Sequence, residues 1–156
     1  MSPLGAGFRH LQLIFEKQKI SMKTTHISHD LNLLAIAAKS FPEGIIAAFD
    51  DLRAIIPGSE VRTCYGISRP ENGKISYSAA VEELYPGEAE ILHCETITLH
   101  KGNYVGCVIQ DFMKDTKQIG ITFQKLIAEP EIDPNGYCVE WYFNERDVKC
   151  MIRKQD

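Results

Sequence analysis

The order of secondary-structure patterns repeats within the chain, and this order limits the folds available to it. A strand pattern, an amphipathic helix and a β-hairpin follow one another over about residues 26–82, and the same order returns over about residues 95–153. The halves share little sequence, so the repeat is one of pattern. Residues 83–94 read as an acidic, turn-rich link. This duplicated β-α-β-β order predicts an α+β fold built on one antiparallel sheet.

Two helices are predicted from the spacing of apolar residues. The first has Ser40 as its N-cap with Glu43 in the capping-box position, and the second begins near Asp115 with Gln118 in the same role. We interpret both apolar stripes as faces that pack on the sheet. The stripes consist of Ile45, Phe49, Leu52 and Ile56 in the first helix, and of Ile119, Phe123, Leu126 and Ile127 in the second.

The strands are predicted between turn signals. They cover residues 31–39, 62–68 and 74–82 in the first half, and residues 95–109 (broken or bulged at 101–103), 137–143 and 148–153 in the second. Two such units can pair into a strongly curved antiparallel sheet with both helices on one face. We expect a ligand cleft on the other face, along the pseudo-twofold between the units.

Composition restricts the class of protein. The 156 residues suit one domain, which we place at residues 22–156 after a flexible leader, residues 1–21, that lacks the features of a signal peptide. A net charge of −4 gives no electrostatic footprint for nucleic acid, and no stretch has the length of a membrane span. Five cysteines without a C-x-x-C pair indicate reduced thiols in a cytoplasmic protein without a metal site.

One acidic residue stands inside an apolar, aromatic segment. Glu140 lies between Val139 and Trp141 in a predicted strand, where alternation puts it on one face with Tyr142. If the strand is covered on both sides, Glu140 is a carboxylate in an apolar cavity, which is costly to keep charged without a partner. The alternative is an edge strand with Glu140 in water.

The joint pattern resembles the GyrI-like small-molecule-binding domains, which also serve as effector-binding domains of bacterial multidrug-responsive transcription regulators. The resemblance covers roughly residues 22–153. The passages that carry it are residues 75–81 (ISYSAAV), 99–105 (LHKGNYV), 140–142 (EWY) and 147–151 (DVKCM). No helix-turn-helix precedes the domain in this sequence, so the resemblance is to a stand-alone member without direct nucleic-acid binding.

The resemblance implies a ligand cleft with an acid on the penultimate strand, and Glu140 has the matching position. The aromatic lining that it implies falls on Tyr142 and Tyr104, and further on Tyr65, Tyr77 and Trp141. Strand alternation by itself puts Trp141 on the face opposite Glu140, packed against the second helix, unless a bulge turns it.

Three functions are compatible with this site. The first is a binding module that captures a small hydrophobic compound, which can be an aromatic cation, with Glu140 as the charge partner and tyrosine faces for stacking. The second is a hydrolase that opens strained, cyclopropanoid-type electrophiles, as some stand-alone members of the family do. Glu140 would then be the general base, and Tyr142 or Tyr104 would donate to the developing oxyanion.

The third is an inhibitor that binds a protein of the DNA gyrase type through the acidic link. The open edges of the sheet favour a homodimer or a protein partner. Haem is not expected, because lone histidines in strands are usually structural; the histidines concerned are His26, His29, His93 and His100.

Overall fold

The computed structural model describes residues 22–156, and the predicted leader lies outside the described residues. The elements in chain order are β1 (Lys23–Ile27), β2 (Leu31–Ala37), α1 (Ile45–Ile55), β3 (Cys64–Glu71), β4 (Lys74–Glu82), α2 (Glu88–Leu92), β5 (Glu95–Leu99), β6 (Gly102–Ile109), a 3-10 turn (Phe112–Lys114), α3 (Lys117–Ile127), β7 (Cys138–Tyr142) and β8 (Val148–Arg153). No helix among these residues is long and apolar enough to cross a membrane. The five cysteines all lie in residues 22–156, and none of them forms a disulfide bond.

The strands form one antiparallel sheet of eight strands in the order β1-β6-β8-β7-β3-β4-β2-β5, curled into a half-barrel. The first half of the sheet consists of β3, β4, β2 and β5, and the second consists of β7, β8, β6 and β1. The two halves have matching orders and meet where β3 pairs with β7. The predicted α+β class, with a curved antiparallel sheet made from two β-α-β-β units, is confirmed.

The two edge strands of the sheet, β1 and β5, are exchanged between its halves. Each pairs with the half that does not contain the strand directly after it in the chain. β1 directly precedes β2 in the chain but pairs with β6, and β5 directly precedes β6 but pairs with β2. The strand predicted over residues 95–109 is broken close to the expected position, 101–103, and its two parts, β5 and β6, pair with different halves of the sheet. Gly102, with φ of 137°, starts a separate strand after Leu99.

The turn predicted between β3 and β4 is present, whereas the helix caps differ from those predicted. Asn72 and Gly73 both have positive φ (51° and 77°), as in a type I′ turn, and they join β3 to β4 where the residues Pro-Glu-Asn-Gly at 70–73 indicate a turn. The capping box at Ser40 is wrong, because α1 starts after Gly44 without a side-chain cap. At α3, Asp115 Oδ1 accepts from the Lys117 amide at 3.3 Å, although the cap position itself falls one residue later.

Both faces of the sheet are packed. On the helix-bearing face, α1 and α2 cover the first half and α3 covers the second, each over its own cluster of apolar residues. On the opposite face, the core contains side chains from both halves, including Leu33, Ile67, Val139 and Met151. α1 and α3 therefore rest on separate cores, and the centre of the sheet lies between them.

The link between the units contains α2, which the sequence reading missed. Glu88 in α2 is buried and forms an ion pair with Arg62, in which Nη1 donates to Oε1 at 3.0 Å and Nη2 donates to Oε2 at 2.6 Å. The Leu84 amide also donates to Glu88 Oε1 at 3.0 Å. Glu88 is thus a structural residue of the link, and Arg62 holds the pKa of its carboxyl below the usual range.

We expect Glu88→Ala to lower the free energy of unfolding by about 3–5 kcal/mol, because it leaves the buried Arg62 without its counter-charge. Urea unfolding at pH 7 measures this change. Glu90→Ala, in the same helix but exposed, is the matched control and should stay within about 0.5 kcal/mol of wild type. Equal effects of the two substitutions would contradict a structural role for the pair.

Candidate functional site

A cavity of about 890 Å³ lies between α1 and α3, over the centre of the sheet. Ile45 and Phe49 line it from α1, Ile119 and Phe123 line it from α3, and Glu140 belongs to its floor. The predicted cleft was assigned to the face without helices, and that assignment is wrong. The helices cover only their own halves, so the gap forms on their side of the sheet.

Glu140 is the buried acid of this cavity, with 6% of its surface exposed. Its Oε1 accepts hydrogen bonds from Tyr142 Oη at 2.5 Å and from Tyr77 Oη at 3.1 Å. Within residues 22–156, no arginine, lysine or histidine forms an ion pair with Glu140. The carboxyl is therefore solvated by two neutral hydroxyls in place of a cation.

Strand register brings these three side chains together. Gly66 in β3 pairs with Glu140 in β7, and Tyr77 in the neighbouring β4 lies one diagonal step away on the same face. Gly66 makes the contact possible because it has no side chain. A Cβ at this position would overlap the Tyr77 hydroxyl and lie 2.7 Å from Glu140 Oε1.

Burial determines the protonation of the cluster. It raises the pKa of the Glu140 carboxyl above its ordinary value, and the hydrogen bonds from Tyr142 and Tyr77 oppose that shift. Burial, followed by the adjacent Glu140, also raises the pKa of both tyrosines. The two hydroxyls thus remain protonated donors at neutral pH, and Glu140 has a pKa displaced towards the range where a general base or a cation receptor operates.

Three phenylalanines surround the tyrosines and complete an aromatic wall. Phe41 stacks on Tyr77 with ring centroids 5.8 Å apart, Phe49 meets the edge of Tyr142 at 5.9 Å, and Phe112 lies 5.3 Å from Tyr142. The sequence reading assigned Phe49 to sheet packing and missed Phe41 and Phe112. Phe41 and Phe112 stand in turns, where apolar periodicity gives no signal.

The other predicted lining residues lie on the opposite face of the sheet. Tyr65 donates to Glu82 Oε1 at 2.7 Å, and Tyr104 donates to the His100 carbonyl at 2.7 Å. Both rings are buried in the core of that face. The prediction that they line the same cleft as Glu140 is therefore wrong, because odd and even positions of neighbouring strands project to different sides.

Trp141 also lies away from Glu140, as strand alternation predicts, but not against the second helix. It packs on the helix-free core, with Phe143 at 5.5 Å between ring centroids and the Lys149 amine 5.9 Å from its ring. Trp141 and Glu140 lie on opposite faces of the sheet, as predicted. The helices cover the face of Glu140, however, and not the face of Trp141. Of the six predicted site residues, the structure brings together Glu140, Tyr142 and Tyr77.

Neither a family model nor a curated protein matches this chain. Solved structures do share its fold. An integron cassette protein from the mobile metagenome of Vibrio cholerae aligns with a TM-score of 0.64 at 11% identity, covering 86% of this chain and 96% of its own.

Among the described residues, no group of three or more metal-ligating side chains could hold a metal ion.

Two further structures with this fold are described with a bound ligand or as an enzyme. SAV2435, solved with tetraphenylphosphonium bound, aligns with a TM-score of 0.55 at 18% identity, covering 85% of this chain and 93% of its own. A hydrolase from Listeria innocua aligns with a TM-score of 0.55 at 10% identity, covering 90% and 97%. At these identities the likeness shows the fold alone, and it is consistent with the GyrI-like fold expected from the sequence.

Gly66→Ala tests the packing of the site. We expect a loss of about 1–3 kcal/mol in the free energy of unfolding, because the new methyl group forces Tyr77 and Glu140 apart. Tyr77→Phe removes the overlapping hydroxyl, so the double variant should lose less than the sum of the two single variants. A double-mutant cycle in urea measures this coupling. Strictly additive losses would contradict the proposed close contact.

The raised pKa of Glu140 predicts a pH-dependent stability. A carboxyl whose pKa is higher in the folded state binds more protons there than in the unfolded state. The free energy of unfolding should therefore fall as pH rises above about 4.5, the ordinary pKa of a glutamate. We expect Glu140→Gln to gain stability relative to wild type by up to about 1.4 kcal/mol per pH unit over this window. Urea unfolding from pH 4 to 8 measures it, with the exposed Glu90→Gln as control. Parallel curves for wild type and Glu140→Gln would contradict the shift.

Proposed function

We propose that this protein is a small-molecule-binding domain of the GyrI-like type that captures hydrophobic aromatic cations between α1 and α3. One observation carries the proposal: Glu140 is a buried carboxyl in an aromatic cavity and has no cation as partner among the described residues. A ligand cation would supply the missing charge. Desolvation, which now disfavours the ionised carboxyl, would then be offset by a direct ion pair.

The walls favour cations with apolar surroundings. The faces and edges of Phe41, Phe49, Phe112 and Tyr142 surround the acid, and aromatic faces attract a cation by roughly 0.5–2 kcal/mol each. The cavity volume of about 890 Å³ lies in the range of sites for drug-sized ligands. The lining includes exposed apolar side chains at Ile46, Val61 and Met113, together with the exposed charged residues Arg53, Glu60 and Glu145. The presence of tetraphenylphosphonium in SAV2435, which has the same fold, supports this class of ligand.

Binding of a cation should be linked to pH. A ligand cation prefers the ionised form of Glu140, whereas burial in the free protein raises the pKa of that carboxyl. Affinity should therefore rise with pH while Glu140 is protonated in the free protein, and level off above its pKa. Capture of the ligand at lower pH should release a proton.

The test uses two probes of the same shape and opposite charge, tetraphenylphosphonium and tetraphenylborate, with titration calorimetry. We expect the cation to bind wild type and the anion to bind far more weakly. Glu140→Gln should weaken the cation about 10- to 100-fold, which corresponds to the loss of a hydrogen-bonded charge. Glu82→Gln is the matched control, because Glu82 also accepts a tyrosine hydroxyl but lies on the opposite face.

Two results would contradict the proposal. One is equal binding of the two probes, which would mean that the cavity selects shape without charge. The other is an equal loss of cation affinity in Glu82→Gln and Glu140→Gln, which would place the effect outside the cavity.

A hydrolase remains the second candidate, favoured by the raised pKa of Glu140 and the two tyrosine donors beside it. The same fold occurs in a protein described as a hydrolase. Glu140 would accept a proton from water, and Tyr142 or Tyr77 would give up its hydrogen bond to Glu140 and donate to the oxygen that gains charge. Mass spectrometry of a strained electrophile after incubation separates the candidates, since only the enzyme yields a water adduct that Glu140→Gln abolishes.

Binding to a gyrase-type protein through the acidic link has less support. Glu88 of that link is committed to the buried ion pair with Arg62. A cytoplasmic location and a homodimer remain predictions, the first from five cysteines that form no disulfide bond in residues 22–156 and the second from the open strand edges of the sheet.

A further inference from the structure

The two carboxyl oxygens of Glu140 have different surroundings. Oε1 accepts both tyrosine hydroxyls, from Tyr142 at 2.5 Å and from Tyr77 at 3.1 Å. Gly66 lies against the same oxygen, since a Cβ at that position would be 2.7 Å from Oε1. An ionised carboxylate has about two acceptor positions on each oxygen. Both positions of Oε1 are therefore taken, on the side of the carboxyl that lies against β3.

The other oxygen, Oε2, accepts no hydrogen bond from residues 22–156. In this part of the chain, the side-chain polar atoms that lack both a partner and accessible surface are Ser59 Oγ, Arg62 Nε and Trp141 Nε1, and Oε2 is not one of them. Oε2 therefore retains accessible surface. Because Glu140 lines the cavity from a strand in the interior of the sheet, that surface faces the cavity.

Access to Oε2 is narrow. Glu140 as a whole is 6% exposed, and the rings of Phe49 and Phe112 stand against the neighbouring Tyr142. A small polar head can approach such an oxygen closely, because N⁺–H···O⁻ hydrogen bonds bring nitrogen and oxygen to about 2.7–2.9 Å. A quaternary nitrogen or phosphorus carries its charge behind four carbon substituents. Its centre stays farther from the oxygen, and the Coulomb attraction falls with that distance.

Hydrogen bonding also decides whether an ion pair at this depth is favourable. The attraction between buried charges offsets their desolvation only when hydrogen bonds satisfy the remaining acceptor positions. A cation with an N–H group supplies the charge and a donor to Oε2 in one contact. A quaternary cation supplies the charge alone and leaves the ionised Oε2 without a donor in an apolar site.

We propose that this cavity selects aromatic cations that carry an N–H donor, such as protonated amines and amidines, and that this donor binds Oε2 of Glu140. The inference rests on the proposed function, because it concerns the cation that Glu140 receives. It narrows the ligand class from aromatic cations in general to protonated nitrogen bases. Quaternary cations such as tetraphenylphosphonium then bind in the same cavity without the hydrogen bond.

The test uses 3,3-diphenylpropylamine and its N-methyl, N,N-dimethyl and N,N,N-trimethyl derivatives, with titration calorimetry at pH 7. Each ligand carries one positive charge, because alkylamines have a pKa of about 10, and the number of N–H bonds falls along the series until none is left. We expect the dimethyl ligand, with one N–H, to bind wild type about 10-fold more tightly than the trimethyl ligand. The added methyl group increases the apolar surface, so hydrophobicity alone favours the opposite order.

Glu140→Gln separates the hydrogen bond from the charge. A glutamine whose oxygen accepts the two tyrosine hydroxyls presents its NH₂ group in place of Oε2, and that group can only donate. We expect every ligand of the series to bind this variant more weakly than wild type, and the preference for the dimethyl over the trimethyl ligand to disappear. Glu82→Gln is the matched control and should keep the preference, because Glu82 accepts the Tyr65 hydroxyl on the opposite face. Thermal unfolding checks that each variant is folded, and the wild-type series decides the question if Glu140→Gln is not.

The outcomes separate the inference from the proposed function. If the trimethyl ligand binds wild type as tightly as the dimethyl ligand, the N–H inference is overturned and the proposed function stands. A preference for the dimethyl ligand that persists in Glu140→Gln also overturns the inference, as does binding of tetraphenylphosphonium without binding of any amine. If neither tetraphenylphosphonium nor any ligand of the series binds, the proposed function fails first.

Discussion

The structure of the site depends on one buried contact, in which Tyr77 and Tyr142 donate to the same oxygen of Glu140. An acid with 6% exposure needs partners, and two hydroxyls hydrogen-bond it without cancelling its charge. The contact requires a register that aligns three strands and a residue without a side chain at Gly66 between them. The local sequence of β3, β4 and β7 is thereby tied to a single alignment.

The cavity follows from how the helices are supported. α1 packs over β2 and β4, whereas α3 packs over β6 and β8, so each helix rests on the outer strands of its own half. Nothing in this arrangement draws the two helices together over β3 and β7. The central strands are left with a gap above them, and aromatic side chains line that gap instead of filling it. A duplicated fold thus leaves a cavity over the strands where its two halves meet.

Much of the architecture could be predicted from the sequence, because periodicity and turn chemistry are local signals. The hairpin at Asn72-Gly73 and both long helices are examples. Which face of the sheet bears the helices is not a local property, so Glu140 and Trp141 were placed on exchanged faces although their alternation was correct. Tyr65 and Tyr104 were misplaced because an aromatic residue in a strand suits a core as well as a cavity. The sequence of residues 83–94 indicates an acidic link but gives no sign of the ion pair at Glu88, since its partner Arg62 lies 26 residues away in the chain.

The exchange of β1 and β5 between the halves has a mechanical consequence. The chain crosses from one half of the sheet to the other twice, between β1 and β2 and between β5 and β6. Two covalent connections therefore join the halves, in addition to the β3–β7 ladder. Domains joined by a single linker can open by a hinge motion. The two halves of this sheet cannot separate in that way unless β1 or β5 loses its strand pairing. The width of the gap is then set by the sheet beneath it. Any widening of the cavity mouth then depends on its side chains, which can change rotamer while the backbone stays in place.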